Sequence, residues 1–339
     1  MSETLSKELA RYSKILSPLF TPKEIDAFEY ACSLLRVGGS EAAEDPLQES
    51  FELFEDLIKL SESLLELPED RFRNKEKTGW RLALIAYAHL TEMDAPYHLL
   101  ANLLRVRAGM RYWTFPFSSI KKKPKPNPLK PIPEPSPKAK IDVIKQLALQ
   151  ARLPDVGNAF DEFYLPSLRH SIAHSDYVLH EQEMRMLHGH ITEENEPRCF
   201  TPVIPFERLS TIVNRTYSFY SGLFPLGKTA RLGFRNLKGK CIPYDPHNKG
   251  LLEFLIGEQG LLCGFKVHWP NGQESIYTRT ERGCRAVNLE WNPDSSINFF
   301  VGEYPQPRDP FSPLVPLGGE PHYTPPEGSN DPPRWPSPP

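Results

Sequence analysis

The chain has 339 residues, 39% hydrophobic and 11% aromatic, enough for a substantial core and about two domains at roughly 100–200 residues each. A formal net charge of −3 excludes a protein that grips polyanions by bulk charge alone. The 36 prolines exceed the usual share of about 5%, and their clustering marks some stretches as linker or tail.

Charge is unevenly spread. Residues 1–70 carry 16 acidic against 6 basic side chains, and residues 71–138 carry 14 basic against 4 acidic. This reads either as an electropositive face or as two solvated surfaces that neutralise each other. The five cysteines, Cys32, Cys199, Cys241, Cys263 and Cys284, are scattered with no C-x-x-C pair, which suits neither a disulfide framework nor a structural zinc site. The amino terminus lacks the charged-then-apolar layout of a signal peptide. The longest apolar stretch, Leu82 to Leu90, is broken by His89 and falls far short of the ~20 residues that cross a bilayer. These features lead us to expect a soluble, cytoplasmic protein with no membrane partner.

The first half has a helical period. Leu53, Leu57, Leu60 and Leu64 recur at i, i+4, i+7 and i+11, one stripe of an amphipathic helix. Trp80 to Leu90 is apolar nearly all round and predicts a buried helix. After a break at Asp94-Ala95-Pro96, Pro96 suits the first turn of a helix carrying Tyr97, Leu100, Leu103, Leu104 and Val106. Arg105, Arg107 and Arg111 lie towards its end, where cations complement the helix dipole. They are also weak candidates for substrate binding.

Residues 121–138 (KKKPKPNPLKPIPEPSPK) alternate lysine and proline and predict an extended linker or loop. Ile141, Ile144, Leu147, Ala148 and Ala151 then share one helical face. A further helix begins near Asp155 or Asn158, carries Phe160, Phe163 and Tyr164, and meets Pro166, which must kink it or begin a new one. Tyr177-Val178-Leu179 and Met184 to Leu187, flanking Glu181-Gln182, predict a small hairpin. Pro205-Phe206 opens a helix with Leu209, Ile212, Val213, Tyr217 and Tyr220 at core spacing.

From about residue 240 the period shortens towards two. Leu261 to His268, the turn Asn271-Gly272 and Gln273 to Thr278 form a hairpin pattern. Arg285 to Trp291 and Ile297 to Val301 add two strands around Asn292-Pro293. The tail from Tyr304 to Pro339 is proline-dense and expected to be irregular or disordered.

Arg169-His170-Ser171-Ile172-Ala173-His174-Ser175-Asp176-Tyr177 carries the strongest chemistry. Arginine clamps a phosphate through a rigid fork of donors. Histidine both takes and gives a proton near neutrality. The string resembles the Arg-x4-6-His motif of the HEPN superfamily (higher eukaryote and prokaryote nucleotide-binding domains), many of which are RNA-cutting enzymes.

The resemblance implies a mainly α fold: an antiparallel HEPN-like helical bundle over residues 50–225, with the 121–138 linker inside it. Residues 1–49 would form an N-terminal helical segment. Outside the family's minimal pattern, the period of two predicts a small C-terminal antiparallel β-subdomain over 240–303, followed by the proline-rich tail 304–339.

On a regular helix Arg169 and His174 diverge by about 140°. HEPN ribonucleases bring two copies of the motif to one cleft about a twofold axis, so the resemblance implies a homodimer. It further implies that His174 acts as base on a ribose 2′-hydroxyl or as acid on the leaving 5′-oxygen. Arg169 would stabilise the phosphorane. Products would be a 2′,3′-cyclic phosphate and a 5′-hydroxyl, with no metal or other cofactor. His170 would orient the phosphate or His174, and Asp176 would tune the histidine. The substrate would be single-stranded RNA, in a defence or toxin setting, with a regulatory protein as a further partner.

Three other readings stay open. Arg169 could pair with Asp161 or Asp176 while His174 simply ends a helix. His170 and His174 at i, i+4, with His180, His188 or His190, could hold a zinc ion, although no H-E-x-x-H occurs. A non-catalytic HEPN-like dimer could bind RNA, a nucleotide or a partner protein through the proline-rich segments. On that reading Lys266, His268, Arg279, Arg282 and Arg285 could line a nucleic-acid surface.

Overall fold

Tyr12, Phe160, Phe163 and Phe219 come from three distant stretches of chain, yet the Phe219 ring centroid lies 5.1–5.7 Å from the other three, edge-on or tilted. Around this aromatic knot the chain is mostly helical, with antiparallel sheets towards its carboxyl end. The computed structural model describes residues 3–21, 25–38, 46–120, 134–186, 203–245, 248–280, 283–291, 297–302 and 304–307. Among them, no helix is long and apolar enough to cross a membrane.

Helices α1 (Glu3–Leu16), α2 (Ala27–Leu35), α3 (Pro46–Glu66), α4 (Lys75–Glu92) and α5 (Asp94–Arg107) precede residues 121–133, which lie outside the described residues and with them most of the expected linker. Its last residues are not linker: Ser136 caps α6 (Pro137–Gln150) and Pro137 takes the first turn. The buried face of α6 is the expected one, Ile141, Ile144, Leu147 and Ala148. Short α7 (Pro154–Asn158) and a 3-10 turn over 159–162 lead to α8 (Pro166–Ala173). Pro166 therefore starts a new helix rather than kinking a long one.

Strands β1 (Tyr177–His180) and β2 (Glu183–Met186) form the expected hairpin, and β3 (Val203–Pro205) adds a third strand to it. Helix α9 (Phe206–Leu232) starts at the expected residue, continues through Pro225 and lies along α1. At their crossing Gly222 meets the Ser13 backbone so closely that an added Cβ would sit 3.3 Å from its nitrogen.

Two helical expectations need correction. The buried position on α3 is Phe54, packed on Tyr217 and Phe224 of α9, whereas Leu60 is 53% exposed. Burial follows the aromatic residues because each buries more area than a leucine. Helix α4 is not buried all round. Leu84, Tyr87 and Leu90 face the core, but Ile85 is 57% exposed.

The C-terminal region holds a five-stranded sheet in the order β4 (Cys241–Asp245), β5 (Gly250–Ile256), β6 (Leu262–His268), β7 (Glu274–Thr280) and β8 (Gly283–Val287). A second sheet runs β11 (Tyr304–Pro307), β10 (Ile297–Val301), β9 (Leu289–Trp291). The expected strand Arg285 to Trp291 is thus two strands, divided at Asn288 with φ 50°. The first four residues of the expected irregular tail pair with β10, and 308–339 lie outside the described residues. Phe28 of α2 touches Tyr244 and Phe265 at 4.9 Å, so one core continues from helices into sheet. The anticipated edges at residues 50 and 225 fall inside α3 and α9.

Candidate functional site

Helix α8 carries the motif, and Tyr87 of α4 sets where it begins. The Leu165 N–H donates to the Tyr87 hydroxyl at 2.9 Å, and that hydroxyl donates to the Phe163 carbonyl at 3.1 Å. These two bonds satisfy backbone groups just before the helix, where Pro166 cannot donate. At the other end His174 is the C-cap. The Ser175 N–H donates to Ile172 O and the Asp176 N–H to Ser171 O, with Ser175 at φ 57°. This is the Schellman arrangement, with serine where glycine is preferred.

The arrangement separates the motif's groups. His170 and His174 are exposed on one face at the helix end, their ring centroids 4.4 Å apart. Arg169 points elsewhere. Its Nε donates to a carboxylate oxygen of Glu92 at the end of α4. Neither Asp161 nor Asp176 is its partner in that ion pair, and Asp161 pairs with Lys145 instead. Tyr164 lies beside this pair; burial pushes its phenol up, Arg169 draws it down and Glu92 raises it. Glu92 was not singled out by sequence, and Tyr164 only as a helix residue, because nothing local links residue 92 to residue 169.

The Arg169 side chain is 31% exposed and Glu92 38%, so the pair contributes only about 0–1 kcal/mol. A phosphate oxygen could replace the carboxylate at small cost. On the outward face of α4, Ile85, His89 and Glu92 follow at i, i+4 and i+7, so an exposed apolar residue and the partner of Arg169 share one stripe.

The other arginines are not brought to the motif. Arg105 packs over the Trp113 ring at 4.6 Å and donates to Arg111 O at 3.2 Å, and burial lowers its pKa against the opposing pull of Glu29. It stands eleven residues along α5 from Asp94, about 16 Å by helix rise. Arg107 donates to Thr21 O at 3.4 Å, and Arg111 follows beyond the same helix end. An open cleft of about 790 Å³ between α3, α4 and α9, lined by Leu64, Leu65, Lys75, Trp80 and Asn214, contains no motif residue.

For a metal, His180 lies against Arg185 at 3.4 Å, and His188 and His190 lie outside the described residues. Among the described residues, three potential ligand atoms within 4.8 Å of one another occur at Cys241, Glu253 and His268 on the five-stranded sheet. Comparison with protein-family profiles, with curated proteins and with solved structures finds no match for this chain.

Proposed function

We propose that the chain is a HEPN-type, metal-independent endoribonuclease whose active cleft forms when two copies bring their α8 motifs together. The observation that carries the reading is the exposed His170–His174 pair at a helix C-terminus, one turn from the weakly held guanidinium of Arg169. Each chain supplies a proton-transfer group and a phosphate clamp, but their side chains face different surroundings. A twofold axis supplies the missing convergence, and exposed Ile85 on the stripe leading to Glu92 supports contact on that side.

In this reading His174 removes the 2′-hydroxyl proton of a single-stranded RNA as that oxygen attacks the adjacent phosphorus. The P–O5′ bond then breaks. The leaving 5′-oxygen takes a proton from the histidine of the other copy. Arg169 leaves Glu92 to hold the non-bridging oxygens as charge grows on them. His170 lies against His174 and orients it, while the Asp176 N–H helps fix the helix end. A defence or toxin role rests on the family resemblance alone.

End-labelled RNA tests the proposal, with and without EDTA, for wild type, Arg169→Ala and His174→Ala. Cyclic-phosphate ends with EDTA present, lost in both variants, are expected. Cleavage that survives both substitutions would place the chemistry elsewhere. The Arg169–Glu92 pair favours a second reading, a non-catalytic RNA-binding dimer in which arginine only grips phosphate. Arg169-dependent binding without cleavage would select it.

A further inference from the structure

Cys241, Glu253 and His268 sit on three adjacent strands whose register fixes their neighbourhood. Cys241 of β4 lies directly opposite Glu253 of β5, and His268 of β6 lies directly opposite Glu274 of β7. Phe265 and Val267 of β6 point into the core. By strand alternation His268 therefore lies on the other face, with Glu253 and Cys241. The three ligand atoms lie within 4.8 Å of one another, and His268 Nε2 is 2.9 Å from Glu253 Oε2.

We propose that Cys241 Sγ, Glu253 and His268 Nε2 bind a zinc ion on this face of the sheet. Bonds of about 2.3 Å to sulfur and about 2.0–2.2 Å to nitrogen and oxygen put tetrahedral ligand atoms roughly 3.3–3.7 Å apart. The Nε2–Oε2 separation of 2.9 Å is somewhat shorter than this and no pair of ligand atoms exceeds 4.8 Å, so side-chain rotations complete the geometry. Thiolate, imidazole and carboxylate together match zinc rather than magnesium or calcium, which take oxygen ligands.

The surroundings fit as well. His268 Nδ1 lies 3.2 Å from Glu274 Oε1. With Nδ1 towards Glu274, Nε2 faces Glu253 and Cys241, the carboxylate–histidine–metal arrangement. Lys266 Nζ lies 3.4 Å from Glu274 Oε1, so those two charges cancel. Zinc then balances the Cys241 thiolate and the Glu253 carboxylate, and the cluster is neutral. Three protein ligands leave a fourth position for water.

The competing arrangement is an imidazolium clamped by two carboxylates, without metal. The two separate experimentally on the full chain, stripped with a chelator and titrated with zinc and then with cobalt(II). Zinc retained at one equivalent per chain is expected, as is a cobalt spectrum with a sulfur-to-metal charge-transfer band and intense tetrahedral transitions. Cys241→Ser abolishes the band and Cys263→Ser, five residues from His268 along β6, leaves it unchanged. Glu274→Gln weakens zinc binding by about 10–100-fold. No retained zinc in the wild-type chain overturns the proposal, and so does a charge-transfer band that persists in Cys241→Ser. Should Cys241→Ser not fold, His268→Gln gives the same decision through zinc stoichiometry, beside the wild-type spectrum itself. None of these readouts involves Arg169 or His174, so the zinc site and the ribonuclease reading stand or fall separately.

Discussion

Arg169 of α8 donates its Nε–H to a carboxylate oxygen of Glu92 on α4, 77 residues earlier in the chain. That pair ties the motif helix to the helix whose Tyr87 sets its start. It also holds the guanidinium away from any phosphate until something displaces the carboxylate.

Substituting Glu92→Gln removes the competing charge and leaves a side chain of the same size. A half-exposed pair contributes only about 0–1 kcal/mol to the fold, so the variant should unfold at nearly the same denaturant concentration as the wild type. Affinity for single-stranded RNA should rise severalfold, while Arg169→Ala lowers it. Arg169→Lys should restore little, because an ammonium lacks the two-pronged donor geometry. Filter binding at fixed salt reads all three. Equal affinities across the set would mean that Arg169 does not contact RNA.

Ile85 is the exposed apolar side chain on the stripe that ends at Glu92. If two chains meet there, Ile85→Glu buries two like charges across the axis and the dimer separates. Light scattering should show a monomer, and cleavage should fall with it while the helical circular dichroism is retained. Cleavage undiminished in a monomeric variant would exclude the composite cleft.

The N-terminal helix is held by ions as well as by packing. Arg11 donates to both carboxylate oxygens of Glu162, and Tyr12 Oη donates to the same carboxylate at 3.0 Å. Burial alone would raise the Glu162 pKa; the bonds from Arg11 and Tyr12 and the charge of Arg215 outweigh it, and the net shift is downward. A folded-state pKa below the unfolded one adds stability that is present above the unfolded value, about 4.3. That stability is lost as pH falls through the folded value. Urea midpoints measured from pH 6 downward should therefore drop more steeply below about pH 4.3 in the wild type than in Glu162→Gln. Parallel curves would show that the Arg11–Glu162 contact carries no net stability.

Much of this arrangement was legible where local chemistry decides it. The α6 face, the hairpin at 177–186, the helix opening at Phe206 and the turn at Gly272 with φ 80° each follow from period or punctuation within a few residues. What escaped depends on distance in sequence. On α3 the leucine stripe at 53, 57 and 64 is only half-buried, and the arrival of Tyr217 and Phe224 from α9 makes Phe54 the buried side chain. Strand β5 reads Leu-Leu-Glu-Phe-Leu-Ile, a run without alternation, and β4 carries Pro243, so neither announced itself. The Cys241, Glu253 and His268 ligands lie 12 and 15 residues apart, and sheet register alone brings them together. Glu92 is invisible for the same reason.

The aromatic knot sets how much of the fold depends on one side chain. Phe219 is fully buried and its ring lies between 5.1 and 5.7 Å from those of Tyr12, Phe160, Phe163 and Tyr220. Truncating it removes contacts with α1, with the turn before α8 and within α9 at once, and the rings around it are too rigid to close the space. Phe219→Ala should cost about 3–5 kcal/mol. Leu65 on α3 is 75% exposed, and Leu65→Ala should stay within about 0.5 kcal/mol. Urea unfolding of both variants, with the slope checked for constancy, makes the comparison. A cost below about 1 kcal/mol for Phe219→Ala would mean that the helices around α9 repack easily, and the placement of α8 and its motif would no longer be anchored by this knot.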